Sequence, residues 1–210
     1  MQRASDAHTN GSFSAEIVPV SVKDRKMGEV VYSKDEAVDI TKIGKLVRLK
    51  PAFSPTGTAT PGNSSSIADG AASILLMSGA ALNQASTTPL ARVVGYVTHG
   101  QEPNRFTTAP AGAVKKLLTK INWAVADVDL FEINEAFSVA TLASMREIGV
   151  NVDKVNVNGG ACAIGHPIGA SGARIIVTLV HALRARDMKR GIAVICIGGG
   201  EGTAIAIEIP

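Results

Sequence analysis

Between Asn158 and Gly172 the chain reads Asn-Gly-Gly-Ala-Cys-Ala-Ile-Gly-His-Pro-Ile-Gly-Ala-Ser-Gly. Five glycines, a histidine, a cysteine and a proline in fifteen residues leave no room for a long regular helix or strand. Glycine permits backbone angles and close approaches that other residues resist. His166 precedes Pro167, and a residue before proline is driven out of the α region. The imidazole is therefore expected on a constrained turn. A histidine presented that way is suited to act as a base near neutral pH.

The rest of the chain supplies a frame for that turn. In its second half, helical and strand patterns alternate, which indicates an α/β architecture. Val114, Leu117, Leu118 and Ile121 recur at helical spacing within Ala111 to Ile121, and Ile175, Leu179 and Leu183 do so within residues 169–186. Ile192 to Ile197 is a continuous apolar run, the mark of a strand covered on both faces. Arg92 to Val97, Leu130 to Ile133 and Thr203 to Ile209 read as further strands, the first of them buried. Asn134, a good N-cap residue, is expected to open a helix running to Ile148, where Gly149 stops it. The first half is less regular. Residues 1–14 read as a polar helix, and Glu16 to Val22 and Val30 to Tyr32 as short strands. Residues 33–50 are charged and weakly helical. Residues 51–66, rich in Pro, Gly, Ser and Thr, form a long loop. Ile67 to Met77 is apolar and expected to tie that loop to a core.

Composition narrows the function. Hydrophobic residues make up 46% of 210, enough for a substantial core, while aromatics reach only 4% and net charge only +3. A base-stacking nucleic-acid binder is not expected from such a chain. Two cysteines and no paired Cys motif give neither a disulfide framework nor a zinc site, so no metal is expected. No run of about 18 apolar residues spans a membrane, and Met1 to Gly11 has no apolar signal core. A reducing, cytoplasmic setting is the default expectation. There is no G-x-x-x-x-G-K-[ST] and no strand-borne G-x-G-x-x-G, which removes the common phosphate loops.

Three polar groups stand at the ends of core elements: Asn134, His166 and Cys196. In open α/β folds such ends gather at one sheet edge. The glycines after Cys196 leave room for a ligand and expose N–H groups able to hold an oxyanion.

Asn134-Glu-Ala-Phe137, the stretch Asn158 to Gly172 and Cys196-Ile-Gly-Gly-Gly-Glu-Gly202, in this order and at these separations, resemble the thiolase family, and within it the acetyl-CoA acetyltransferases. Glu16 to Val20, Leu49 to Phe53, Gly57 to Ser65 and Phe106 to Ala113 extend the resemblance over nearly the whole chain. It implies a layered α-β-α-β-α fold with only the C-terminal half complete. It also implies a division into residues 1–65 (remainder of a coenzyme A-binding loop domain), 66–90 (end of the N-terminal thiolase domain) and 91–210 (C-terminal thiolase domain). The implied chemistry is condensation of two acetyl-CoA to acetoacetyl-CoA and its reverse, thiolysis, with coenzyme A thioesters as substrates and no further cofactor.

By the same resemblance His166 activates a nucleophilic cysteine and helps bind the thioester oxygen. Cys196 exchanges the proton alpha to the second thioester, Asn134 holds an oxyanion-hole water and the Gly198 N–H is a second oxyanion donor. Ser65 contacts pantetheine, and Ala136 and Phe137 line its channel. The family's nucleophilic cysteine has no counterpart here, and Cys162 reads as packing. The basic residue for the coenzyme A phosphate, expected near Asp35 to Asp39, is not evident either. The expectation is an incomplete enzyme, truncated or split, that needs an N-terminal thiolase half or a homo-oligomer. Cys196 argues against a ketoacyl synthase. The alternative is a non-catalytic acyl-CoA or lipid-binding module derived from a thiolase, which the missing nucleophile favours and the intact Asn134, His166 and Cys196 disfavour.

Overall fold

The computed structural model describes residues 1–210. In chain order its elements are α1 (Gln2–Thr9), β1 (Val20–Asp24), β2 (Gly28–Tyr32), α2 (Ile43–Leu46), α3 (Gly79–Ala85), β3 (Arg92–Gly100), α4 (Ala109–Ile121), β4 (Leu130–Ile133), α5 (Ser138–Ile148), α6 (Ala161–Ile164), α7 (Ser171–Ala185), β5 (Arg190–Ile197) and β6 (Glu201–Glu208). β1 and β2 form an isolated antiparallel hairpin, and the other strands form one sheet in the order β3-β6-β5-β4. β4 and β5 are parallel; β6 runs antiparallel to both its neighbours.

Strand alternation explains the layers, because successive side chains point to opposite faces. Phe131 and Ile133 of β4, Ile192 and Val194 of β5, and Ala204 and Ala206 of β6 share one core with Val114, Leu117 and Leu118 of α4. Leu130, Ala193 and Ile207 pack on the opposite face against Ile175, Leu179 and Leu183 of α7. Alternation also turns Glu132, the one charge in β4, toward the α7 face.

The N-terminal helix is held onto this unit by Ala4, Ala7 and Phe13, all buried. The Arg3 guanidinium donates to the carbonyls of Val155 (2.7 Å) and Val152 (3.2 Å). Gly159, at φ +89°, makes the contact possible: a Cβ there would sit 2.7 Å from that of Ala4.

Both outer edges of the sheet are occupied by side chains. Beyond β4, the Asn156 amide accepts from the Ile133 N–H and donates to the Ile133 carbonyl, each at 2.8 Å. Beyond β3, the ammonium groups of Lys116 and Lys120, one turn apart on α4, donate to the Thr98 (2.9 Å) and Tyr96 (3.0 Å) carbonyls.

Four expectations need correction. β3 is not buried: it is the sheet's edge, and Tyr96 is 66% exposed. Ile67 to Met77 forms no helix or strand of its own and is not tied to a core, with Ile67 91% and Leu75 85% exposed. Asn134 does not open α5, which starts four residues later, after Phe137. The first strand begins at Val20 rather than Glu16, past Pro19, which has no N–H to give a ladder.

Candidate active site

β4 and β5 are parallel, so Asn134, which follows β4, and Cys196, near the end of β5, lie at the same edge of the sheet. The Asn134 N–H extends the ladder by one bond to the Val194 carbonyl, 2.9 Å. α7 reaches this edge from the other side. Its C-terminus connects to β5 through only residues 186–189. Its fifteen residues span roughly 22 Å and the eight of β5 roughly 26 Å. The helix start at Ser171 therefore lies level with the end of β5, and His166 sits just before it.

Asn134 is almost fully buried, and neither Nδ2 nor Oδ1 has a partner in the chain. Buried amides are normally satisfied, and leaving one so costs about 1–3 kcal/mol per group. An unsatisfied amide at a strand end is suited to hold a water or a ligand oxygen.

His166 is clamped through its backbone, whose N–H donates to the Ser66 carbonyl at 2.8 Å. Its Nδ1 lies 2.5 Å from the Ser171 Oγ, and Nε2 has no partner. Burial, and then the Arg174 guanidinium, hold the imidazole below its usual pKa. The ring is neutral, and basic, at physiological pH.

Cys196 pairs with Gly202 of β6, and burial pushes its thiol up. Gly198 lies in the turn after β5, its N–H taken by no backbone carbonyl. Ser65, Ala136 and Phe137 are brought together: the Ser65 N–H and hydroxyl both reach the Ala136 carbonyl at 3.2 Å. The Ser138 N–H bonds the Asn63 carbonyl at 2.8 Å, and Phe53 stacks edge-on against Phe137. His166, Asn134 and Cys196 share no direct hydrogen bond; separate elements deliver each to one edge.

Cys162 stands apart from this group. Its N–H donates to Glu135 Oε2 (3.0 Å), and burial, then the Glu135 charge, push its thiol to about 11.

Beneath the site lie groups that motif reading passed over. Glu132 is 2% exposed, and its Oε2 lies 3.4 Å from Arg174 Nη1. Glu16 accepts from the Thr178 hydroxyl at 3.2 Å. A charge inside the apolar run Leu130 to Ile133 was the signal for the first. Ser171 lies within the motif stretch Asn158 to Gly172, but nothing in the sequence marked its contact with His166.

Family models match along the chain: thiolase, N-terminal domain, over residues 1–80, and thiolase, C-terminal domain, over residues 87–209. The chain belongs to the thiolase family. An acetyl-CoA acetyltransferase from Chromobacterium violaceum is 48% identical over all of this chain and 54% of that protein. The crystal structure of the Bacillus anthracis acetyl-CoA acetyltransferase superposes with a TM-score of 0.97 at 44% identity, covering all of this chain and 53% of that one. Human mitochondrial 3-ketoacyl-CoA thiolase, solved in complex with CoA, gives 0.89 at 37% identity, covering 100% and 52%. The fold is the thiolase fold. The chain spans about half the length of the relatives it matches. No helix is long and apolar enough to cross a membrane.

Proposed function

We propose that this chain supplies one half of a thiolase-type acyltransfer site, acting on acetyl-CoA and acetoacetyl-CoA. Asn134 carries the reading: a buried amide with both polar atoms unpartnered, at the sheet edge where Cys196 ends its strand. Such a group fits a site that stabilises charge developing on a thioester oxygen.

In condensation, His166 takes a proton from a nucleophilic thiol, which attacks a thioester carbonyl and releases coenzyme A. Cys196 gives its thiol proton to the departing coenzyme A thiolate, and as a thiolate then takes a proton alpha to the second thioester, restoring its S–H bond. The resulting carbanion attacks the acyl-enzyme, and the nucleophilic thiol leaves as acetoacetyl-CoA forms. A water held by Asn134 and the free Gly198 N–H offset the oxyanion charge at the two stages. The raised pKa of Cys196 suits a thiol that stays protonated until the coenzyme A thiolate is released beside it. Neither Cys162 nor Cys196 matches the family's nucleophile by motif, so the nucleophile is assigned to a further thiolase segment supplied by a partner. Ser65, Ala136 and Phe137 would carry the pantetheine arm, and residues 1–65 the coenzyme A-binding portion. Coenzyme A thioesters are the substrates, with no other cofactor.

The test is thiolysis of acetoacetyl-CoA by the purified chain, alone and mixed with the N-terminal portion of a thiolase. Activity only in the mixture, abolished by His166→Ala, is expected. Full activity in the chain alone would move the nucleophile to Cys162 or Cys196. Coenzyme A binding without turnover in either case would make this a binding module instead.

A further inference from the structure

The Ser171 hydroxyl is fully buried, on the first residue of α7, and has two neighbours. His166 Nδ1 lies at 2.5 Å and the Pro167 carbonyl oxygen at 3.1 Å. Only two arrangements of hydrogens suit a neutral ring. In one, Nδ1–H donates to Oγ and the hydroxyl donates onward to Pro167, so both hydrogens are bonded. In the other, the hydroxyl donates to a bare Nδ1. The Pro167 carbonyl then loses this donor, and Oγ receives nothing, since no other donor reaches it. The first arrangement makes one hydrogen bond more in a place water does not enter.

We propose that Ser171 is a positioning residue that holds His166 in the Nδ1–H tautomer, so that the Nε2 lone pair faces the site as the base. Two further features bear on the ring's charge and placement. The positive end of the α7 dipole and the Arg174 guanidinium both oppose an imidazolium at rest. The backbone bond from His166 to Ser66 fixes where the ring is rooted. When a thiol gives its proton to Nε2, the S–H bond breaks and an Nε2–H bond forms. Nδ1–H stays on Ser171 throughout, and the new Nε2–H becomes a donor for a thioester oxygen. One unpartnered nitrogen thus serves first as base and then as oxyanion donor, in an order set by the tautomer.

The catalytic meaning of this arrangement rests on the acyltransfer reading; the tautomer does not. It is read by long-range proton–nitrogen correlation NMR on the chain with ring-labelled histidine, at pH 8. The chain has four histidines, and the signal set lost in His166→Gln is that of His166. The expected result is a pyrrole-type Nδ1 and a pyridine-type Nε2 for His166. In Ser171→Ala, the signals move to the Nε2–H form; in Ser171→Thr, which keeps the hydroxyl, they stay. An Nε2–H form in the unsubstituted chain overturns the proposal, whatever the fate of the variants. So does a folded Ser171→Ala whose tautomer is unchanged. A negative thiolysis assay would remove the acyltransfer reading and leave this measurement standing.

Discussion

The charge of one guanidinium, that of Arg174, acts on both Glu132 of β4 and Glu16, in the loop before β1. Both carboxyls are raised, chiefly by burial: Glu132 to about 8 and Glu16 to about 7, against the usual 4.5. Arg174 opposes the rise in both, while Glu135 adds to it in Glu132. The folded chain therefore keeps protons that the unfolded chain has released. A group raised on folding contributes stability that is full below its unfolded pKa and is lost as pH climbs to its folded one. At about 1.4 kcal/mol per unit, the whole span for Glu132 is worth roughly 5 kcal/mol. Much of it is gone by neutral pH. His166 and His181, both lowered, work in the opposite direction, but only below about pH 6.5. From pH 7.0 to 8.5 the carboxyls lead, with the two raised thiols adding a smaller loss of the same sign as unfolded thiols begin to ionise; the fraction of Glu132 still protonated gives a loss of about 1.3 kcal/mol. Glu16 adds about 0.4 kcal/mol. Urea unfolding followed by the fluorescence of the single tryptophan, Trp123, measures this directly. Unfolding free energy is expected to fall by about 1.7 kcal/mol across that window. Glu132→Gln keeps an acceptor for Arg174 and should remove most of the slope. A free energy that is flat or rising from pH 7.0 to 8.5, or a Gln variant with the slope intact, would refute the reasoning.

Two other outcomes follow from the packing. A Cβ on Gly202 would lie 2.7 Å from the backbone of Ala109, an atom that cannot rotate away, so Gly202→Ala should cost about 1–3 kcal/mol or more and lower the Tm by several degrees in a thermal melt. Raised from 9.0 to about 11, the Cys162 thiol carries roughly 100-fold less thiolate than an unperturbed one; its alkylation by iodoacetamide, followed by peptide mass spectrometry at pH 7.5, should be slower by about that factor in the folded chain than in urea.

The helical spacing of Ile175, Leu179 and Leu183 and the unbroken run Ile192 to Ile197 were legible because each is a repeat that a core must satisfy. The motif stretches located His166, Asn134 and Cys196 by type and order. Their surroundings were less legible. Asn134 reads as a helix cap, yet bonds from Ser65 to Ala136 and from Ser138 to Asn63 engage the next residues with the loop before α3, and α5 waits until Ser138. Hydropathy says that Ile67 to Met77 favours burial; it does not say what covers it. Arg92 to Val97 is apolar enough for a central strand, and only the order of the sheet made it an edge. The Ser171 contact depends on a rotamer five residues from the ring, for which sequence carries no period.

The sheet's two margins bear on how this chain can meet others. At one, the Asn156 amide imitates a peptide group and occupies both polar atoms of Ile133. At the other, Lys116 and Lys120 take up carbonyls that a visiting strand would need and set two positive charges where it would lie. A strand arriving at either margin must displace a bond already made before it gains one. Growth by adding strands, the usual start of fibrils and of accidental pairing, is thus discouraged at both ends. Association of this unit is left to its faces, where shape rather than backbone chemistry selects the partner.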